Sequence, residues 1–367
     1  MKILKYYILL LLCFSCTAHK ETPDFGTALM HYASLLDIYN IEDSVMLCKM
    51  KNPWNDNKPM AQYLIVPKTL KDVDTKAIEE EYGTLTVLHT PLSNITLTTA
   101  CHGYLMNQLG AINNVGVYCD SEYIMNEDVK RHLSSGKIAN AGSSMNPTFE
   151  VIISKGSDAF FVSPFENTSE SFIATLPIPV IYCTDYMETD PLARAEWMKF
   201  YGLLVGKNEE ADSLFNIIEK NYKTLSDSIK NIKEQKRTIL AEIPYQSTWY
   251  VPAGNSTMGI LYKDAGFVYP WAEEMQSGSL ALSPEEVLSK AQDADIWIFK
   301  YYSDHKMTKE EFISKDKFFG QFKAAKEGEI YGCNTSSCDF YDVTPFRPDI
   351  LLDEMLNLGK YYFEKIE

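Results

Sequence analysis

Side chains that could bind a ligand follow several of the strands predicted for this chain. Trp249 and Tyr250 come after a strand predicted at 238–242, and His102 comes after one predicted at 95–97. Open α/β sheets bind ligands at the carboxyl ends of their strands, so we expect these side chains to line a common site. A Pro-Ala-Gly turn follows the two rings almost directly, where a core would not need large rings, so both are expected to face solvent and contact the ligand.

The complete set of expected ligand contacts is Thr99, His102, Phe165, Tyr186, Trp249, Tyr250, Tyr301 and Tyr341.

No catalytic motif stands out in the sequence. It contains no GxSxG, no P-loop, no GxGxxG and no HExxH. Cys101 stands beside His102, but neighbouring side chains rarely face one another, so the pair does not predict a nucleophile with its base. The histidines form no cluster in sequence and no CxxC is present, so neither pattern predicts a metal site. We therefore expect no catalytic residues, no metal ligands and no cofactor.

The elements that would position these side chains include a pattern that occurs twice, at 146–162 and at 283–299. Each copy has a Pro near the first helical turn, a Glu just inside it, an Asp, and then an apolar run. The Glu residues are Glu150 and Glu285. An apolar run of this length is typical of a strand in a parallel sheet. Two such units suggest two similar α/β lobes.

A long amphipathic segment at 207–232 lies between the two copies. Its apolar residues recur at helical spacing without Gly or Pro, and a helix of this length would extend about 39 Å. Its position favours one rigid helix joining two lobes, although a surface helix on a single domain is the alternative. The domain prediction is an N-terminal lobe at 31–206 with an added hairpin region at 31–83, a linker helix at 207–233, and a C-terminal lobe at 234–367.

The N-terminus has the features of an export signal. In residues 1–16, two lysines precede an apolar run that is too short to cross a bilayer and that ends at Cys16. The segment resembles a bacterial lipoprotein signal with Cys16 as the acylated residue, although Cys13 stands where an aliphatic residue is usual. A cleaved signal without a lipid is the alternative. A tether at 17–30 is expected to follow, and the lipid would hold the protein at a membrane surface.

The length, the net charge and the cysteines further limit the class of protein to which this chain can belong. The 367 residues suit two domains, and the net charge of −16 argues against a nucleic-acid partner, which attracts basic surfaces. Cys333 and Cys338 flank a turn-like Asn-Thr-Ser-Ser and are the best candidates for a disulfide, with free thiols as the alternative. Four cysteines in apolar surroundings are expected to be buried thiols, namely Cys48, Cys101, Cys119 and Cys183.

Together, the lipoprotein-like start, the duplicated Pro-Glu unit and the unbroken helix resemble the periplasmic-binding-protein class that serves ABC importers of iron complexes and vitamin B12. The more specific segments are 98–102, 146–153, 185–202 and 278–288. The resemblance implies two Rossmann-like lobes on one helical backbone, with a siderophore, haem or cobalamin ligand in the cleft between them. It also implies a monomer in the periplasm or cell envelope that delivers its ligand to a permease and ATPase complex in the inner membrane.

The same resemblance implies one permease-docking Glu on each lobe. Glu150 matches the first, and Glu285 matches the second, although Glu286 is adjacent and the register is uncertain by one residue. A carboxylate in the first turn of a helix also favours the helix dipole, so a purely local role is the alternative. Two other functions stay open from the sequence: direct binding of Mn²⁺ or Zn²⁺, and an enzyme that acts on a metal chelate in the same cleft.

Overall fold

The computed structural model describes residues 28–166, 176–230 and 236–367. The predicted signal segment 1–16 with Cys16, and all of the predicted tether before residue 28, lie outside these ranges. No helix within them is long and apolar enough to cross a membrane. We refer to residues 28–206 as the N-terminal lobe and to residues 236–367 as the C-terminal lobe.

The region expected to be an added hairpin forms a four-stranded sheet. Its elements are β1 (Leu36–Glu42), β2 (Val45–Met50), β3 (Ala61–Pro67), α1 (Thr75–Tyr82) and β4 (Thr86–Thr90). The first three strands are antiparallel, as expected, and β4 runs parallel to β3. Alternate side chains of β1, such as Leu36 and Ile38, are buried in the main hydrophobic core. The sheet is therefore an integral part of the N-terminal lobe.

The centre of the N-terminal lobe is a five-stranded parallel sheet with strand order β7-β6-β5-β8-β9. Its strands are β5 (Ile95–Leu97), β6 (Val115–Tyr118), β7 (Ala139–Asn140), β8 (Ala159–Val162) and β9 (Val180–Tyr182). Helices α2 (Ala100–Gln108), α3 (Glu127–Ser134) and α4 (Phe149–Ser154) connect them. Every residue of β8 is buried, which explains its continuous apolar run.

Three helices lead out of this lobe: α5 (Pro191–Glu196), α6 (Met198–Val205) and α7 (Asn208–Lys230). The first two of these helices are divided at the buried Trp197. The 23 residues of α7 form the predicted connecting helix, and its buried stripe packs against α6. The prediction of an α/β fold with mainly parallel sheets and one long connecting helix is confirmed.

The C-terminal lobe has a sheet of order β10-β13-β14-β15 and a separate antiparallel pair, β11 with β12. The strands are β10 (Ile239–Ala241), β11 (Trp249–Pro252), β12 (Ser279–Leu282), β13 (Ile296–Tyr301), β14 (Ile330–Asn334) and β15 (Glu364–Lys365). The helices are α8 (Thr257–Asp264), α9 (Pro284–Ala291), α10 (Lys309–Lys315), α11 (Lys323–Glu327), α12 (Phe340–Val343) and α13 (Pro348–Leu356).

The last helix, α13, ends at Leu356. The buried Glu354 carboxylate accepts hydrogen bonds from the backbone N–H groups of Gly359, Tyr361, Tyr362 and Phe363. These bonds fold the chain back toward β15 in place of a further helical turn.

The two lobes touch through side chains of the C-terminal lobe that reach the N-terminal lobe. Asp342 on α12 accepts hydrogen bonds from the backbone N–H groups of Met125 (3.0 Å) and Asn126 (2.8 Å). The ring of Phe346 lies 5.6 Å from that of His102 and 6.0 Å from that of Tyr201. These contacts fill the region in front of β5, and the open space lies at the loop after the edge strand β9.

Candidate ligand-binding cleft

A cavity of about 620 Å³ lies between the lobes. The N-terminal lobe contributes the loop after β9, from Tyr186 to Thr189. The C-terminal lobe contributes Glu242, Ile243, Tyr250, Pro252, Ser256, Thr257, Met258, Ser277, Gly278, Ser279 and Lys300. The Thr257 hydroxyl of the C-terminal lobe donates a hydrogen bond to the Glu188 carbonyl oxygen of the N-terminal lobe, at 3.1 Å. We call this space the cleft cavity.

Aromatic and apolar side chains form much of its wall. Tyr186 faces it from the N-terminal lobe and Tyr250, which is about half exposed, faces it from the C-terminal lobe. The Tyr186 hydroxyl donates a hydrogen bond to the Pro164 carbonyl oxygen, which fixes the ring. Burial, together with the nearby charge of Asp185, raises the pKa of Tyr186 to about 12, so this hydroxyl stays protonated at neutral pH.

An ion pair between Lys300 and Glu242 lies at the carboxyl edge of the C-terminal sheet. Glu242 follows β10 and Lys300 lies on β13, and these parallel strands are neighbours. Burial alone would lower the pKa of Lys300, but the charge and hydrogen bond of Glu242 outweigh it and raise that pKa. Lys300 is therefore a fixed positive charge that a ligand anion could share with Glu242.

Glu242 adopts a left-handed backbone conformation, with a φ of 65°. A non-glycine residue in this region is strained by about 1–2 kcal/mol. Its backbone N–H donates to the Ile298 carbonyl (2.8 Å), and its carbonyl accepts from the Trp297 indole N–H (2.7 Å). The neighbouring strand therefore holds the carboxylate at the cavity wall.

A smaller cavity of about 200 Å³ adjoins the first and shares Thr257, Met258 and Lys300 with it. Arg194 and Tyr341 also line it. The Arg194 guanidinium donates to Asp185 at 3.2 Å and is partly exposed, so a second cation lies close to the cleft cavity.

A buried polar network holds the loop that carries Tyr186. Asp185 is 1% exposed and contacts His102 (3.2 Å), Arg194 (3.2 Å) and the Tyr201 hydroxyl (2.8 Å). Burial alone would raise the pKa of Asp185, but His102, Arg194 and Tyr201 outweigh it and hold that pKa well below its usual range. Asp185 is therefore ionised and fixes the start of the loop.

His102 does not line the cavity, which corrects the expectation that it contacts ligand. It is 2% exposed, its Nε2 meets Asp185, and its Nδ1 meets the hydroxyl of Thr99, the residue that precedes α2. Thr99 likewise faces His102 and is not among the residues lining the cavity. Both side chains act on the site only through Asp185.

Trp249 is also misplaced by the sequence prediction. It is fully buried, its ring stacks 5.5 Å from that of Trp297, and its indole N–H donates to the Ala241 carbonyl at 3.1 Å. Successive side chains of a strand point to opposite faces, so on β11 Trp249 enters the core and Tyr250 faces the cleft. The prediction that both rings face the cleft is wrong for Trp249.

The other expected contacts lie around the cleft at different distances. Phe165 is 60% exposed, and its ring centre is 6.5 Å from that of Tyr186, so it lies beside the cavity. Tyr341 is 56% exposed and lines the smaller cavity. Tyr301 lines a separate surface cavity of the C-terminal lobe, where its hydroxyl accepts the Met307 N–H at 3.2 Å.

Sequence reasoning did not select Lys300, Glu242 or Arg194 as site residues. Each has a feature in the sequence that could have identified it. Glu242 ends one predicted strand, Lys300 directly follows another, and Arg194 lies in a segment that resembles the family. Nothing in the sequence shows that Glu242 and Lys300 belong to neighbouring strands, so their pairing follows only from the fold.

Two buried carboxylates join the first described residues to the cleft loop. Glu196 accepts the backbone N–H groups of His31, Tyr32 and Ala33, at 2.7–3.0 Å. Glu188, which also lines the cavity, accepts those of Ser34 and Leu35, at 2.9–3.0 Å. Five consecutive amides are therefore held by two carboxylates, of which Glu188 lies in the cleft wall, and we call residues 31–35 the N-terminal strap.

Glu150 and Glu285 are both exposed in the first turn of a helix, α4 and α9 respectively. Glu286 accepts the Ser283 N–H (2.7 Å) and hydroxyl (2.8 Å) in a capping box. Within the described ranges, no hydrogen bond or ion pair engages the Glu285 carboxylate. Of the two adjacent residues, Glu285 is thus the one whose carboxylate is available for a partner.

Across the described parts of the chain, no three His, Cys, Asp or Glu side chains come together as a metal site would require.

Comparison with known proteins gives one family. The family described as periplasmic binding protein matches residues 114–336. An uncharacterized lipoprotein of Methanocaldococcus jannaschii is 23% identical over 353 residues, which cover 90% of this chain and 82% of that protein.

Among solved structures, a possible iron-binding periplasmic solute-binding protein of Staphylococcus epidermidis has a TM-score of 0.57 at 16% identity, covering 73% of this chain and 98% of that one. A protein of an ABC-type Fe³⁺-hydroxamate transport system of Saccharomonospora viridis has a TM-score of 0.57 at 17% identity, covering 74% and 94%. At such identities these likenesses show a common fold.

Proposed function

Because the chain belongs to the periplasmic binding protein family, we propose that it is the lipid-anchored substrate-binding component of an ABC importer. It captures an iron–siderophore, haem or cobalamin-type ligand between its lobes and delivers it to the permease. The observation that carries this proposal is the cleft cavity, with Tyr186 and Tyr250 on opposite walls and the Lys300–Glu242 pair at its edge. Its volume of about 620 Å³ is within the usual range for small-molecule sites.

The chemistry of the walls favours a large chelate over a bare ion. Aromatic faces offer wide contact with a conjugated or ring-rich ligand at low entropy cost, and a metal ion would not use them. Lys300, with Arg194 close by, favours a ligand that also carries an acidic group, such as a carboxylate or phosphate. Haem with its propionates, cobalamin with its phosphate and the aromatic, anionic ferric catecholates each combine these two properties.

Delivery would use the two exposed carboxylates, one on each lobe. Glu150 and Glu285 are proposed to dock on cationic residues of the permease, and the protein is proposed to act as a monomer. Support comes from their matching positions at the first turns of α4 and α9 and from the engagement of Glu286 in a cap. The anchor is proposed to be a lipid on Cys16, which would hold the protein at the membrane of the cell envelope.

Titration of the purified full chain with haemin, cyanocobalamin, a ferric hydroxamate and a ferric catecholate tests the proposal, with tryptophan quenching as the readout. At least one ligand should bind, and Tyr250→Ala should weaken it at least tenfold, about 1.4 kcal/mol. Tyr361→Ala is the matched control, because Tyr361 is exposed to a similar extent (46%, against 48% for Tyr250) and does not line the cleft cavity.

The same titration with Mn²⁺ and Zn²⁺ tests direct metal binding, and product analysis of the bound chelate tests for an enzyme. Binding of a bare ion in preference to all four chelates, or equal chelate binding by wild type and Tyr250→Ala, would overturn the proposed site.

A further inference from the structure

Two cysteines of the C-terminal lobe lie close enough to react with each other. The sulfur atoms of Cys333 and Cys338 are 3.6 Å apart, at the two ends of the turn after β14. Disulfide formation needs an approach to about 2 Å, which a change of side-chain rotamer at one end of a four-residue turn can supply. Within the described parts of the chain, no other pair of cysteine sulfurs comes into such contact.

The two thiols differ in accessibility. Cys333 is fully buried, whereas Cys338 is partly exposed. The hydrogen bond between the sulfurs lowers the pKa of Cys338 and raises the pKa of Cys333. Cys338 is therefore the thiol that reagents in solution reach first, and it loses its proton more readily than Cys333.

The remaining described cysteines do not share this reactivity. Cys48, Cys101, Cys119 and Cys183 are all buried, and burial raises the pKa of each thiol. A reaction of the native protein should therefore be confined to one pair, which makes the site experimentally tractable.

We propose that Cys333 and Cys338 form a reversible disulfide, with Cys338 as the entry thiol. The oxidant is a disulfide, either a small molecule or a thiol oxidoreductase. The Cys338 thiolate attacks one sulfur of the oxidant, which forms a mixed disulfide and releases the first thiol. Cys333 then loses its proton to solvent and attacks the Cys338 sulfur, which closes the internal disulfide and releases the second thiol. Two protein thiols are oxidised and one external disulfide is reduced.

The position of the turn gives this disulfide a structural effect. Asn334 within the turn donates to and accepts from the backbone of Ser303, at 2.9 and 3.2 Å, which attaches the turn to the loop after β13. Two residues beyond Cys338, α12 begins, and its Asp342 bridges to the N-terminal lobe. The bond would connect the end of β14 covalently to the start of this bridge and reduce local opening of residues 335–343.

The test uses the full-length protein, first reduced, freed of reductant, and then incubated with oxidised glutathione. Unreacted thiols are blocked with N-ethylmaleimide before trypsin digestion. Both cysteines lie on one tryptic peptide, 327–360, because Arg347 is followed by Pro348 and trypsin does not cleave there. The peptide contains no other cysteine. The expected peptide is two hydrogens lighter and carries no maleimide, and dithiothreitol should restore two reactive thiols.

Two single variants, with folding checked by circular dichroism, assign the roles. Cys333→Ser should retain glutathione on Cys338, since no second thiol can displace it. Cys338→Ser should leave Cys333 unmodified in the native protein. Hydrogen exchange in 335–343 should be slower in the oxidised wild type than in the reduced one. Glutathione that remains on wild-type Cys338, a wild-type pair that does not react, or equal modification of Cys333 in Cys338→Ser would overturn the proposal.

Discussion

Replacing Trp249 with Ala should lower the free energy of unfolding by about 4–5 kcal/mol. The ring is fully buried and is packed against Trp297, Phe319 and Phe322, with centres 5.5–6.3 Å away. Burying roughly 200 Å² of ring at about 25 cal/mol per Å² gives a similar figure. The hydrogen bond to the Ala241 carbonyl would also be lost, so that a buried acceptor is left without its partner.

Tyr250, the next residue, is the matched control because it lies on the other face of the same strand. It is about half exposed, so Tyr250→Ala should change the free energy of unfolding by less than about 1 kcal/mol while weakening ligand binding. Trp249→Phe should fall between the two, since it keeps an aromatic ring but loses the indole N–H. Trp249→Ala and Tyr250→Ala therefore separate a loss of stability from a loss of ligand binding at two adjacent residues.

The free energies of unfolding of all three variants are measured by urea unfolding at 25 °C, followed by far-ultraviolet circular dichroism. The slope of the free energy against urea concentration is fitted separately for each variant. Linear extrapolation is applicable only if each transition is two-state with an unchanged slope. The reasoning fails if Trp249→Ala is within 1 kcal/mol of wild type, or if Tyr250→Ala is the less stable of the two. If Trp249→Ala has normal stability and weakened ligand binding, the Trp249 ring lies in the cleft and not in the core.

Three other perturbations test the cleft loop, the docking carboxylates and the anchor. Because the pKa of Asp185 is depressed in the folded state, its stabilisation is present above its unfolded-state pKa of about 3.9 and is lost as the pH falls below it. The stability difference between wild type and Asp185→Asn, measured by urea unfolding, should therefore be full at neutral pH and shrink in acid; a constant difference would exclude this assignment. Single Ala substitutions of Glu150 and Glu285 should leave ligand affinity unchanged and reduce stimulation of the transporter ATPase. Glu286→Ala, the control, removes the carboxylate that accepts the Ser283 N–H and should leave that stimulation intact; weakened ligand binding in the first two variants would count against docking. Cys16→Ser should abolish incorporation of labelled palmitate and partitioning into detergent, and unchanged labelling would contradict the proposed anchor.

The sequence predicted the α/β fold and the buried parallel strands well because these depend on local pattern. The runs at β8 and β13 are apolar because both faces of a parallel sheet are covered. The capping box at 283–286 has a sequence pattern, Ser-Pro-Glu-Glu, but the sequence analysis did not use it and left Glu285 and Glu286 unresolved.

The site was predicted less well because its side chains depend on contacts distant in sequence. His102 is buried partly by Phe346, 244 positions further along the chain, and no local pattern indicates that. The error at Trp249 came from overlooking β11, whose pairing with β12 lies about 30 residues away. Two adjacent rings on a strand cannot both face one cleft, so recognising the strand would have corrected the prediction.

The N-terminal strap has a mechanical consequence. Tension on the chain before residue 28 acts on the hydrogen bond from the Leu29 N–H to the Ile38 carbonyl and then on Glu196 and Glu188, whose carboxylates hold residues 31–35. Glu188 is itself part of the cleft wall, so a load that is transmitted past Glu196 reaches the cavity through the Glu188 side chain. If the proposed anchor is Cys16, only 12 peptide bonds separate it from residue 28, a leash of at most about 43 Å. Pulling on the N-terminus in an optical trap should therefore disturb the cleft before it unravels either central sheet.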